Sequence, residues 1–203
     1  MLAAVALLWH ALSNPHSTAL IAGPGERQTG ELLARVRALT RKMGMGRLRT
    51  DGVNRQSIRF PNGARIVALP GNAGTIRGFS GVTMLVIDEA AVTKDDIYPA
   101  VRPMLTQSQG TIWIISTPNG MDGFFPKEWH EGTEEWERVR VPATECERFT
   151  PEMLAAEREA LGTKRCAQEF LCEFVTIDEG MFESAWLEAM LTDDVAPLAL
   201  VEV

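Results

Sequence analysis

Thr83-Met84-Leu85-Val86-Ile87-Asp88-Glu89-Ala90-Ala91 is an apolar run that stops abruptly at two adjacent carboxylates. Met84–Ile87 is too short for a helix and shows no polar alternation, so it reads as a parallel strand buried on both faces. Asp88 and Glu89 then fall at the carboxyl end of that strand, where open α/β sheets place their ligands. Two neighbouring acids there can divide the labour. The first can hold a Mg²⁺ bound to nucleotide phosphates, and the second can orient or deprotonate an attacking water. The competing reading is a strand followed by an acidic helix cap, since Asp and Glu favour helix N-termini.

Upstream, Ser17–Gly23 reads as a buried strand and Gly23-Pro24-Gly25 as a turn. Glu26–Met43 carries helical periodicity through Leu32, Leu33, Val36 and Leu39. Met1–Ser13 is rich in Ala and Leu and is expected to be a buried helix stopped by Asn14-Pro15. This alternation of helix and strand belongs to a parallel sheet. Ser57–Pro70 reads as a hairpin turned by Pro61-Asn62-Gly63. The glycine-rich loop from Gly71 to Gly81 then carries Arg77 into the acidic strand. An Arg on such a loop can bring positive charge to a transferring phosphoryl group, or it can simply sit in solvent.

Downstream, Asp95–Leu105 is expected to form one short helix with Pro103 near its end. Thr111–Ile115 is a second apolar strand, expected beside the acidic one, and it ends in Ser116-Thr117-Pro118. A hydroxyl pair at that position can sense a γ-phosphate, although hydroxyls before proline also merely end strands. Trp136–Val141 reads as a further strand. Thr150-Pro151-Glu152 opens a helix with a capping hydroxyl and Pro at its first position, and Gly162 closes it. A second helix carries Cys166, Phe170 and Phe174, and a third is expected around Ala185–Leu191.

With 203 residues and 45% hydrophobic content, the chain can bury one core and a small second unit. It has no apolar stretch near the roughly 20 residues of a membrane span. Met1–Trp9 has the length of a signal-peptide core, but the first Lys or Arg is Arg27, so a charged leading segment is missing. Cys146, Cys166 and Cys172 lack paired spacing and read as reduced intracellular thiols. Three scattered histidines, His10, His16 and His130, argue against a histidine metal site. The net charge of −7 conceals an asymmetry: Arg27 to Arg77 holds eleven Lys or Arg against only Glu31 and Asp51. Such a block can form a face for phosphate, pair with the acidic C-terminal half, or stay solvated.

Taken together, the Arg-Gly loop, the LVIDEAA strand, Tyr98-Pro99, Arg102-Pro103-Met104-Leu105 and the strand closing in Ser-Thr-Pro-Asn-Gly resemble the large terminase subunit of tailed phages. Val139-Arg140-Val141-Pro142, Gln168-Glu169-Phe170 and Phe182-Glu183 extend the resemblance more loosely. That family packages viral DNA with an additional-strand ATPase of P-loop NTPase fold, an α/β class with a mainly parallel sheet. The resemblance implies that Asp88 is the Walker B aspartate, binding Mg²⁺ and nucleotide, and that Glu89 is the catalytic glutamate. It implies that Arg77 is an arginine finger acting on a neighbouring subunit's nucleotide, and that Ser116 and Thr117 couple hydrolysis to movement. Mg²⁺ and ATP are the implied cofactors. Double-stranded DNA, a small terminase subunit, a portal ring and a homo-oligomeric ring are the implied partners, in the host cytoplasm and without a membrane.

Two departures accompany these matches. No G-x-x-x-x-G-K-[ST] phosphate loop occurs in the 203 residues, and Met1 falls within the helix that follows that loop in the family. The family's nuclease domain is expected to begin just beyond Trp186, whereas the sequence stops at Val203. The implied organisation is a partial ATPase core over residues 1–142, truncated at its N-terminus. Residues 143–203 form a lid-like, mostly helical linker leading toward an absent nuclease domain. The fragment alone is then expected not to hydrolyse ATP. Two further readings are a helicase-like additional-strand ATPase and a non-enzymatic prophage remnant or scaffold.

Overall fold

The computed structural model describes residues 1–53, 56–69, 71, 78–175 and 190. Five strands form one sheet: β1 (Thr18–Ala22), β2 (Ser57–Arg59), β3 (Arg65–Ala68), β4 (Val82–Asp88) and β5 (Thr111–Ile115). Their order across the sheet is β2-β3-β1-β4-β5. The pairs β1–β3, β1–β4 and β4–β5 are parallel, and only β2–β3 is antiparallel. The hairpin between β2 and β3 closes as its sequence requires, with Gly63 at φ 83° in the turn. Asn62 there accepts from the Ala64 amide and donates to the Ala11 carbonyl, tying the hairpin to the first helix.

Alternation along β1 sorts the core into two layers. Ala19 and Ile21 face a cluster with α1 (Leu2–Ser13) and α2 (Glu26–Lys42), contributed by Leu7, Leu8, Leu32, Leu33 and Val36. Leu20 and Ala22 face the other cluster, with α3 (Ile97–Val101), α4 (Pro103–Thr106) and α5 (Phe124–His130), through Ile97, Tyr98, Val101, Leu105, Phe124 and Phe125. A sheet covered on both faces explains why β4 reads as a continuous apolar run, with Leu85, Val86 and Ile87 fully buried. Beyond the sheet, α6 (Pro151–Leu161) and α7 (Thr163–Leu171) pack against each other. Thr150 caps α6, its side chain accepting from the Met153 amide at 3.3 Å, and Gly162 separates the two helices at φ 79°. No helix among the described residues is long and apolar enough to cross a membrane.

Four local expectations are corrected. Trp136–Val141 is not a strand. Its backbone has no neighbouring ladder, and Arg138 instead donates to the carbonyls of Glu128, Trp129, Gly132 and Trp136, while Val139 and Val141 stay exposed. The Asp95–Leu105 helix is two short ones, because Pro103 has no N–H to bond the Pro99 carbonyl and therefore opens α4. Phe174 lies past the end of α7 and packs on Phe125, Trp129 and His130. Finally, α1 is buried on one face only, leaving Leu2, Val5 and Trp9 exposed. β5, although wholly apolar apart from Thr111, lies at the edge of the described sheet and is only half-buried. The helix expected near Ala185–Leu191 lies outside the described residues except at Met190.

Candidate nucleotide site

The sheet topology fixes where a ligand can lie. From β1 the chain passes through α2 on one face and returns to the sheet in the β2–β3 hairpin, whose β3 lies beside β1. From β4 it passes through α3 and α4 on the other face to β5, in the opposite direction. The carboxyl ends of β1 and β4 therefore bound a topological switch point, the crevice where open α/β sheets bind ligands. The loops at this crevice approach closely. A Cβ on Gly23 would sit 3.1 Å from the Asp88 carbonyl, and one on Gly71 would meet the Pro24 carbonyl at 2.7 Å. Only glycine permits that second approach.

Asp88 ends β4, half-buried, and Glu89 follows it in the left-handed region at φ 54°, ψ 47°. A non-glycine residue there costs roughly 1–3 kcal/mol and persists only where its surroundings fix it. Three bonds do so. The Val92 amide donates to the Glu89 carbonyl at 3.1 Å, and the buried Thr93 hydroxyl donates to the same carbonyl at 3.0 Å. The Ala91 amide donates to the Ser116 hydroxyl at 3.0 Å. Glu89 is exposed as a residue, yet its carboxyl is raised above the ordinary carboxylate value. Partial burial is the main cause, followed by repulsion from Asp88 and then from Glu169. The solvent-facing exposure limits how far that shift can reach into stability.

Asp88 pairs in register with Ile115, so Ser116 and Thr117 emerge beside Glu89. The Ser116 hydroxyl also donates to the Thr117 carbonyl at 2.8 Å, which makes it a clamp between the two strand ends. Asp88, Glu89, Ser116 and Thr117 thus share one edge of the sheet. Arg77 lies outside the described residues. A further neighbour, α7, has no motif that announces it. Its Gln168, nearly fully buried, donates to Asn119 just past Thr117 at 3.2 Å, and the adjacent Glu169 faces Glu89 closely enough to repel it. The signal for this contact is a Gln-Glu pair in a helix, meaningful only once the fold brings together residues 49 apart in sequence.

The mainly parallel sheet with helices on both faces is the fold of the ATPase domains of phage large terminases. The ATPase domain of the Thermus phage P74-26 large terminase matches with a TM-score of 0.66 at 19% identity, over 85% of this chain and 82% of that one. The large terminase of a second thermophilic bacteriophage matches with a TM-score of 0.65 at 14% identity, over 90% of this chain and 48% of that one. The same large terminase in complex with ADP matches with a TM-score of 0.64 at 11% identity, over 85% and 44%. The chain therefore spans less than half the length of that second phage's protein. No curated protein matches it. Residues 1–189 match the family described as terminase large subunit, T4likevirus-type, N-terminal, and the chain belongs to that family as a large-terminase ATPase region.

Proposed function

We propose that this region hydrolyses ATP to power DNA packaging once a phosphate-holding loop is joined to it, with Asp88 on the metal side and Glu89 acting on water. The observation that carries the reading is the left-handed Glu89 pinned at the carboxyl end of β4 beside Asp88. Strain held in place at a cleft is characteristic of a site whose side-chain direction matters.

Mg²⁺ in such sites is held by one or two carboxylates together with substrate phosphates rather than by a full protein cage. The half-buried Asp88 suits that role, and no cluster of three or more His, Cys, Asp or Glu that could hold a metal occurs among the described residues. When bound, the ion would offset the charge that the acids and the phosphates otherwise set against each other. Glu89, with its carboxyl held above the ordinary value, is a better proton acceptor than an unperturbed glutamate at neutral pH. Thr117, two residues past the end of β5, would sense the terminal phosphate, and Ser116 would relay a shift of the β5 end to the Ala91 amide that donates to it. Arg77 acts on the nucleotide of a neighbouring subunit in a homo-oligomeric ring. In this reading residues 1–142 are the core and 143–203 a lid-like linker. Duplex DNA, the small terminase subunit and the portal are its partners in the host cytoplasm.

Phosphate release measured with Mg²⁺ and ATP tests the proposal. The 203-residue chain is expected to match its own Asp88→Asn, Glu89→Gln control, because its sequence has no phosphate loop. Extension upstream through that loop is expected to restore turnover, and Glu89→Gln in the extended chain to remove about 10²–10⁴ of it. An extended chain whose turnover ignores Glu89→Gln would overturn the assignment.

A further inference from the structure

The basic block between Arg27 and Arg77 and the acidic C-terminal half do not neutralise each other within one chain. Within the block Arg65 pairs with Asp51 at 3.7 Å, and no ion pair among the described residues joins the block to the acids beyond it. An open groove of about 530 Å³ at the C-terminal end of α2 is lined by Arg37, Arg41 and Arg47. Gly44 and Gly46, at φ 73° and 68°, turn the chain back so that Arg47 comes within reach of Arg37. Arg37 is held there by donating to the carbonyls of Leu48 and Ser57. Burial, then Arg41, then Arg47 keep its guanidinium below its ordinary pKa, so the three cations crowd one another. Arg41 and Arg47 are exposed and form no ion pair among the described residues.

The opposite charge stands just as free on α6. This helix of 11 residues has no buried residue, and Leu154 alone is half-buried. On the side away from Leu154 lie Glu152, Ala155, Ala156 and Glu159, an outward face that carries two acids and no cation. The two glutamates are two turns apart, about 10 Å along the axis, and the small alanines between them let another surface approach closely. Neither forms an ion pair among the described residues. A helix exposed nearly all round, without internal charge pairs, has the character of one that bridges to another body.

Each face lacks what the other carries. The fork of an arginine takes a carboxylate through two parallel hydrogen bonds. A helix C-terminus presents carbonyls, and its dipole disfavours a single small anion at the groove. Carboxylates spread along a rigid helix suit an open cluster of arginines better. We propose that the Arg37, Arg41 and Arg47 groove of one copy receives the Glu152–Glu159 face of α6 from a second copy. Two different faces then meet, so the contact is heterologous. Every copy keeps one groove and one helix for further neighbours, which builds a ring where the rotation closes and a filament where it does not. The inference deepens the homo-oligomeric ring of the preceding reading by naming the faces that meet, and rests on that reading only in this.

The test is sedimentation velocity of the 203-residue chain, free of nucleotide and nucleic acid, at about 50 and about 500 mM NaCl. Wild type is expected to self-associate at the lower salt and to move toward monomer at the higher, because exposed charges are screened. Arg41→Glu, Arg47→Glu and, separately, Glu152→Lys, Glu159→Lys are each expected to weaken association at least about tenfold, with circular dichroism confirming the fold. Mixing the two reversed variants restores opposite charges across the contact and is expected to restore association. Glu134→Lys, Glu135→Lys makes an equal charge change elsewhere and is expected to associate as wild type does. A wild type that stays monomeric at low salt, no recovery in the mixture, or equal loss in the Glu134, Glu135 pair would each overturn the contact. So would association that survives high salt and both reversals, as pairing of β5 edges would. The assay contains no ATP, so none of these outcomes touches the acidic-site assignment, which phosphate release decides separately.

Discussion

The two ends of α2 are built in different ways. At the start of the helix, Asp88 and Glu89 sit at the edge of a packed sheet, and hydrogen bonds from Ala91, Val92 and Thr93 hold the backbone around them in a strained state. Near its far end, Arg41 and Arg47 stand on an exposed surface, and the chain turns through glycines that bear no strain. One charged region is positioned by the core and the other by side-chain reach. The first can place an atom for chemistry. The second can only gather charge.

Four measurements bear on this contrast. No ion pair to Asp88 or Glu89 occurs among the described residues. In an upstream-extended chain, Arg77→Ala is expected to lower turnover by about 10³–10⁵ while nucleotide affinity stays close to wild type. Parallel loss of affinity and rate would instead make Arg77 a ground-state ligand.

Leu85 lies fully buried in the strand that carries the acids. Leu85→Ala should cost about 2–5 kcal/mol in urea denaturation, through lost transfer energy and a cavity. Arg41→Ala should stay within about 0.5 kcal/mol, as exposed sites do. Similar values for the two would remove the distinction between a core-built and a surface-built region.

Glu89→Gly should stabilise the fold while abolishing turnover in the extended chain. Relief of the left-handed penalty of about 1–2 kcal/mol exceeds the entropy that glycine loses, leaving roughly 0.5–1 kcal/mol. A destabilised Glu89→Gly variant would mean that the side chain, not the hydrogen bonds, holds this turn.

The smallest effect is a pH slope. The Glu89 carboxyl is raised in the folded state, so between its ordinary value of 4.5 and its folded value the native chain binds more protons than the unfolded one. Stability from this group is then greatest below that window and falls as pH rises through it. Thermal denaturation of wild type beside Glu89→Gln should show the variant with a flatter decline, and identical slopes would refute the shift.

Much of the acidic end was legible in the sequence. Short apolar runs flanked by turn residues locate β1, β4 and β5, and the parallel arrangement follows from the helices between them. The adjacency of Asp88 to Ser116 is then a matter of strand order. What could not be read was tertiary. The conformation of Glu89 depends on Thr93 and Ser116, and the approach of α7 depends on a Gln168–Asn119 bond between distant segments. Trp136–Val141 misled because an extended, alternating segment becomes a strand only beside a partner edge, and Arg138 supplies its polar contacts instead.

β5 carries a practical consequence. Thr111-Ile112-Trp113-Ile114-Ile115 contains no charge, no proline and no glycine, and it forms the outer strand of the described sheet with its residues half in water. Natural sheets guard such borders with lysine, bulges or a covering element, because unpaired amides and carbonyls recruit strands from other chains. Prepared in isolation, this region carries its own seed for edge-to-edge aggregation, and its solubility will depend on what lies along that border.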